Sequence, residues 1–160
     1  MLPTTFITKL TDVETTDKEG VGKIRYQGGK WYKWVNLKNT TATVAAAAGT
    51  IVAYFALTGY PTHRVVVDLS DADNPPAAAG ITLAAVTGTL GVDYYCWIQI
   101  KGQATLDTAV TNGTAGAPIA LTTTDKTAIR ANEADSAAVY KIVLGRSYNT
   151  TTGVTLDCPF

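Results

Sequence analysis

The 160-residue chain carries one histidine, one methionine, two cysteines and three phenylalanines, and only 16% of its residues are charged. A single histidine excludes a multi-histidine metal centre, and any histidine-dependent triad would have to run through His63, which follows Pro61 in a loop and reads as solvent-facing. No Gly-x-Ser-x-Gly elbow is present, and Ser70, Ser136 and Ser147 sit in contexts without a nucleophile signature. The glycine-rich residues 20–23 and 113–116 neither complete a phosphate loop nor open a helix after a strand, so both read as turns. Asp71, Asp73 and Asn74 imitate the start of a calcium loop, but Pro75 takes the next ligand position and the loop's glycine and terminal glutamate are missing. These residues lead us to expect no catalytic, cofactor-binding or metal site, and no cofactor.

Charge of one sign is also missing in excess. Thirteen Lys and Arg balance thirteen Asp and Glu, which argues against a generally basic nucleic-acid binder and against an acidic tail. Long apolar runs are absent too: residues 40–60 have low charge, yet two glycines and many threonines keep them short of a ~20-residue span. Neither nucleic acid nor membrane is expected as a partner. The first seven residues lack the charged and apolar regions of a secretory signal, so export by that route is not expected. Cys96 and Cys158 read as free buried thiols, with a pairing between them left open.

What the chain has in abundance is threonine and alanine, 27 and 23 residues. Thr is β-branched and favours strands, while Ala and Gly permit close packing and tight turns. Residues 23–26 and 31–35 are strand-like around Gln27-Gly28-Gly29-Lys30, which predicts a hairpin. Further strands are expected near residues 50–55, 64–69, 81–86, 94–100, 104–106, 118–121, 139–144, 144–148 and 154–158, with turn residues between them. Residues 127–138 are the one candidate helix, weakened by poor apolar spacing. On residues 94–101, Tyr94, Cys96, Ile98 and Ile100 share a face predicted to line the core with Val65, Val67, Ile142 and Leu144. The expected fold is all-β, an antiparallel sandwich or barrel of about eight to ten strands with the jelly roll among its allowed forms. Residues 1–20 are polar, with 11–20 showing neither period 2 nor period 3.6, and read as an extended N-terminal arm, ordered only against a neighbouring subunit or the capsid surface and dispensable for folding; residues 21–160 are expected to form a single β domain.

The balanced total hides a polarised chain. Residues 23–38 hold Lys23, Arg25, Lys30, Lys33 and Lys38 without an acid, whereas residues 65–125 hold six acids and only Lys101. The cations interleave with Trp31, Tyr32 and Trp34, residue types that anchor protein contacts. Lys23, Arg25, Lys30, Trp31, Tyr32, Lys33 and Trp34 are therefore the candidate protein-contact residues. Plain hairpin packing and a stacking platform for sugars or bases are the competing readings.

Three segments in order resemble a group of tailed-bacteriophage virion proteins, the capsid decoration or cement proteins. They are Gly-x-x-Arg followed by Gly-Gly-Lys-x-Tyr-Lys-Trp-Val within residues 22–35, Tyr-x-Trp-Ile-Gln-x-x-Gly at 95–102, and Val-Leu-Gly-Arg-Ser at 143–147. The resemblance implies a non-enzymatic structural protein, assembled in the bacterial cytoplasm and bound to the capsid exterior. There it would stabilise the shell by bridging major capsid subunits. It further implies a homo-oligomer, a trimer sooner than a dimer. A carbohydrate-binding or base module of a phage head fibre or tail is the alternative.

Overall fold

The computed structural model describes residues 5–55, 63–72, 77–122, 124–131, 144–149 and 151–158. The fold is all-β, as expected. Among the described residues eleven strands follow in chain order: β1 (Val13–Glu14), β2 (Ile24–Gln27), β3 (Lys30–Leu37), β4 (Ile51–Tyr54), β5 (Arg64–Val66), β6 (Ala78–Thr82), β7 (Tyr94–Thr105), β8 (Pro118–Leu121), β9 (Ala128–Arg130), β10 (Gly145–Ser147) and β11 (Gly153–Asp157). The described residues include no α-helix, only a 3₁₀ turn at Leu69–Asp71 whose first amide region is capped by the Asp68 carboxylate accepting from Ser70 N. Among these residues no helix is long and apolar enough to cross a membrane.

Strands β3, β5, β4, β6 and β7 pair in that order, and β7 pairs back onto β3, which closes a five-strand barrel. Closure leaves no free edge inside the ring, the usual hazard of a sheet. Strand β3 pairs with β5 in parallel, through Asn36↔Arg64 and Leu37↔Val65. The expectation of antiparallel pairing throughout misses it because β5 returns from β4 into the gap beside β3, a placement set by distant contacts. Strand β7 is twelve residues long and does two jobs: its first part closes the barrel, and residues 101–105 carry β11, β10, β8 and β9 as a side extension.

The barrel interior is filled by Val35, Leu37, Ile51, Val65, Val67, Cys96, Ile98 and Ile100, all at most 3% exposed, and Leu144 belongs to the same cluster. The predicted core face of β7 is thus in place, with Tyr94 only half-buried and Ile142 outside the described residues. The opposite face is buried as well: Trp97 is fully enclosed and Gln99 is 3% exposed. Both cysteines are free and buried, and burial pushes each thiol up to about 12. Strand β6 starts three residues before the predicted one, because the small residues 77–80 pack against β4 and β7 better than their propensity suggests. Residues 128–130 of the candidate helix are strand β9; residues 132–138 of it lie outside the described residues.

The second buried face of β7 exists because the N-terminal segment lies over it. Expected to order only against a neighbour, residues 5–20 are instead strapped to their own barrel. Strand β1 pairs Val13 with Cys96 and Glu14 with Tyr95, and Phe6 packs edge-on against Trp97 with ring centroids 5.4 Å apart. Polar chemistry fixes the strap, which is why hydrophobic periodicity does not reveal it. Trp97 Nε1 donates to Thr8 Oγ1 at 2.8 Å, and Trp34 Nε1 donates to Asp17 Oδ1 at 2.8 Å, so both buried indoles depend on strap acceptors. Glu19, whose side chain is fully enclosed, accepts from Ile7 N, Thr8 N, Thr8 Oγ1 and Lys23 Nζ over 2.6–2.9 Å.

Burial alone would raise the Glu19 carboxyl, but the Lys23 ammonium and the Thr8 and Ile7 donors outweigh it and hold the group down at about 2. A carboxylate depressed in the folded state contributes stability above its unfolded value, near 4.5, and loses it as the pH falls towards 2. Acid titration between these values should therefore cost roughly 2–3 kcal/mol. Glu19→Gln should remove that share of the acid dependence while leaving the part due to Asp17, Asp68 and Asp93, whose carboxyls are also held low, measured by urea denaturation at pH 5 and pH 2.5. An unchanged pH slope in the variant would remove Glu19 from its role as the strap's anchor.

Candidate functional site

The hairpin of β2 and β3 turns through Gly28 and Gly29, at φ +59° and +76°, the left-handed pair that matches the twist of a two-residue hairpin. Its register pairs Ile24 with Lys33, Arg25 with Tyr32, Tyr26 with Trp31 and Gln27 with Lys30. Alternation along the strands then divides the seven candidate contact residues among three environments.

Tyr32 and Trp34 point beneath the strap. Trp34 is fully buried and meets Trp97 at 5.4 Å and 62°, and Tyr32, 7% exposed, joins the same cluster. Lys33 is 2% exposed. These three cannot serve as surface contacts in this fold; the pattern that looked like an interface anchor is core, because β3 is covered on both faces.

Lys23 and Arg25 are spent on the strap. Lys23 pairs with Glu19 at 2.6 Å and lies 5.0 Å from the Phe6 ring centre. The Arg25 guanidinium sits 4.9 Å from the same ring, donates from Nη1 to the Thr8 carbonyl at 3.1 Å and from Nη2 to Gln27 Oε1 at 2.6 Å. Lys38 is held by Asp93 at 2.8 Å, with Asn36 Nδ2 donating to the same carboxylate. The Lys38 hydrogen bond and charge, helped by Asn36 and working against burial, keep the Asp93 carboxyl below its ordinary range. So the acidic region supplies one counter-charge to the basic stretch within the chain.

Lys30 and Trp31 remain at the tip. Trp31 is 39% exposed and stacks, tilted by 51° at 5.1 Å, on Tyr26, which is 62% exposed. Lys30 is half-buried beside them and makes no ion pair among the described residues. The structure thus reduces the seven-residue surface to Lys30 and Trp31 and adds Tyr26. The signal for Tyr26 was the hairpin register, which sets it directly across from Trp31.

No family model matches the chain, and no curated protein matches it. The site's chemistry is that of two adjoining aromatic faces and one ammonium beside a double-glycine hairpin turn. Among the described residues, no group of three or more His, Cys, Asp or Glu is arranged to hold a metal.

His63 is not the solvent-facing residue expected. It is half-buried at φ +50°, its carbonyl accepts from Asn36 N, and burial, aided by the Lys33 charge, lowers its pKa. Lys33 itself donates to Tyr54 Oη at 3.0 Å and lies 5.1 Å from that ring, with no carboxylate in ion-pair range among the described residues. Desolvation lowers its pKa. A base depressed in the folded state makes the domain more stable as the pH rises towards the ordinary lysine value. Lys33→Met should stabilise the domain by on the order of 1–3 kcal/mol at neutral pH and flatten that alkaline rise. A lower thermal midpoint would mean that the ammonium contributes more than its burial costs.

Proposed function

We propose that this chain is a structural virion protein that binds the outside of a bacteriophage capsid and stabilises it by bridging major capsid subunits. The observation that carries this reading is the order of the three resembling segments, 22–35, 95–102 and 143–147, along one chain. The barrel supports it by giving the first two a common role: they pair as β3 and β7, with Trp34 opposite Trp97, and so frame one rigid unit. The exposed Tyr26–Trp31 pair with Lys30 supplies a compact contact tip of the kind that dominates protein interfaces. Aromatic burial provides most of the affinity there, while the ammonium sets orientation and approach rate, because an exposed ion pair contributes only about 0–1 kcal/mol.

The test is co-sedimentation of the purified protein with phage heads that lack it. The double variant Tyr26→Ala and Trp31→Ala should lose binding at least tenfold at any salt while keeping its thermal midpoint. Lys30→Glu should weaken association chiefly at low ionic strength, where screening is weak. Full head binding by the double variant would take the tip out of the contact. Binding of the wild type to a glycan array, with none to heads, would favour the carbohydrate-binding module of a head fibre or tail.

A further inference from the structure

The five-strand ring closes without β1, so residues 5–20 can leave without unpairing any two barrel strands. Their departure would nevertheless leave the Trp34 and Trp97 indole N–H groups without the acceptors on Asp17 and Thr8, and would strip Phe6 from Trp97. A vacated surface of this kind is highly specific. An occupant must bring a hydroxyl to one indole, a carboxylate to the other and an aromatic ring between the first indole and Arg25, at the spacing that Phe6, Thr8 and Asp17 have. Another copy of this chain carries such an occupant.

We propose that residues 5–20 are an exchangeable strap, which in closely packed copies docks on the barrel of a second copy instead of its own. None of the docking contacts depends on strap and barrel belonging to one chain. The connection that would act as hinge is short and turns on a glycine: Gly20 sits at φ +88°, the turn is closed by Lys23 N donating to the Gly20 carbonyl at 3.1 Å, and Gly22 N already bonds to the Trp34 carbonyl in the barrel. Asp17 ties this turn shut by accepting from Gly20 N at 2.8 Å and Val21 N at 3.0 Å. The competition between the two forms is one of concentration. A strap on a short linker has an effective concentration on the order of millimolar at its own barrel, so the closed monomer prevails in dilute solution and exchange sets in when copies are crowded to that density. The inference stands on the strap's contacts and hinge, independently of what the protein binds.

A single engineered cysteine reads it out. Val13 lies directly opposite Cys96 in the β1–β7 pairing, within disulfide reach for antiparallel partners. Val13→Cys, in a Cys158→Ser background, links strap to barrel: within one chain if the strap is its own, between chains if it is exchanged. The full chain is refolded at about 1 μM and about 1 mM, then oxidised and separated on non-reducing gels, with peptide mapping to verify that residue 13 is joined to residue 96. The expected result is linked monomer at the low concentration and, at the high one, covalent dimers or trimers whose ratio to monomer grows in proportion to concentration. Adding Gly20→Ala, which strains the closed turn but places its Cβ in open space, should raise that ratio several-fold at both concentrations. Linked monomer alone under every condition would overturn the proposal, and so would oligomers in which residue 13 is not joined to Cys96 of another copy.

Discussion

Replacing Trp34 by alanine should cost the protein about 3–5 kcal/mol of folding stability, the range for deleting a large, fully enclosed aromatic side chain. Trp34 has no exposed surface, its ring meets Trp97 at 5.4 Å, and its indole nitrogen donates to Asp17 at 2.8 Å. The substitution therefore opens a cavity and releases a strap anchor together. Denaturant titration should show a lower midpoint, and the strap amides should exchange with deuterium ahead of those of β7. The neighbouring exposed aromatic behaves oppositely: Tyr26→Ala, at 62% exposure, should change stability by less than about 1 kcal/mol. Equal losses from the two substitutions would mean that the partition of the hairpin into core and contact tip is wrong.

A loss of comparable size is expected from Asn39→Ala, at a residue with no hydrophobic role. Asn39 is fully buried, and its amide is used completely: Nδ2 donates to the Val44 and Gly88 carbonyls at 3.0 Å, and Oδ1 accepts from Val67 N at 3.0 Å and Asp68 N at 3.2 Å. Its own carbonyl accepts from Gly91 N. One side chain thus ties the ends of three loops to the barrel rim. Alanine leaves four backbone groups unpaired, each costing about 1–3 kcal/mol, so a total loss of at least about 3 kcal/mol is expected even without full additivity. Asn39→Asp should not rescue, because a carboxylate accepts from Val67 and Asp68 but donates nothing to Val44 and Gly88. Hydrogen exchange at the Val67 and Asp68 amides reports the lost bonds directly. Unaltered protection there would show that Asn39 is not the pin.

Asn39 also marks how far the sequence could be read. Asn39-Thr40-Thr41 looks like an acceptor sequon in a threonine-rich chain, and nothing local distinguishes it from Asn112-Gly113-Thr114, whose asparagine is exposed. The difference lies in partners 28 and 49 residues away, Val67 and Gly88, which no spacing rule reaches. The β2–β3 hairpin was legible because its turn is local: two glycines between alternating strands leave few other structures. The core face of β7 was legible for a similar reason, a clean period of two. Burial of its second face was not, since that depends on residues 5–20, whose few apolar contacts, Phe6, Leu10 and Val13, are scattered among polar residues and whose anchors are carboxylates and a hydroxyl. The same blindness placed Trp34, Tyr32 and Lys33 on a contact surface: aromatic and cationic residues on a strand look alike whether solvent or a strap covers them. Strand β6 was displaced because alanine and glycine carry weak strand propensity, yet suit the tight approach of β4 and β7.

The most direct measurement of the central claim is a census of the native particle. On the proposed function the chain is encoded by a phage, and purified virions of that phage would be analysed by quantitative mass spectrometry against the major capsid protein and by electron cryomicroscopy. The account predicts copies in the hundreds, distributed over the outer face of the shell, with the Tyr26–Trp31 tip of each barrel seated on capsid subunits. A handful of copies confined to one vertex or to the tail, or none on the shell, would contradict it.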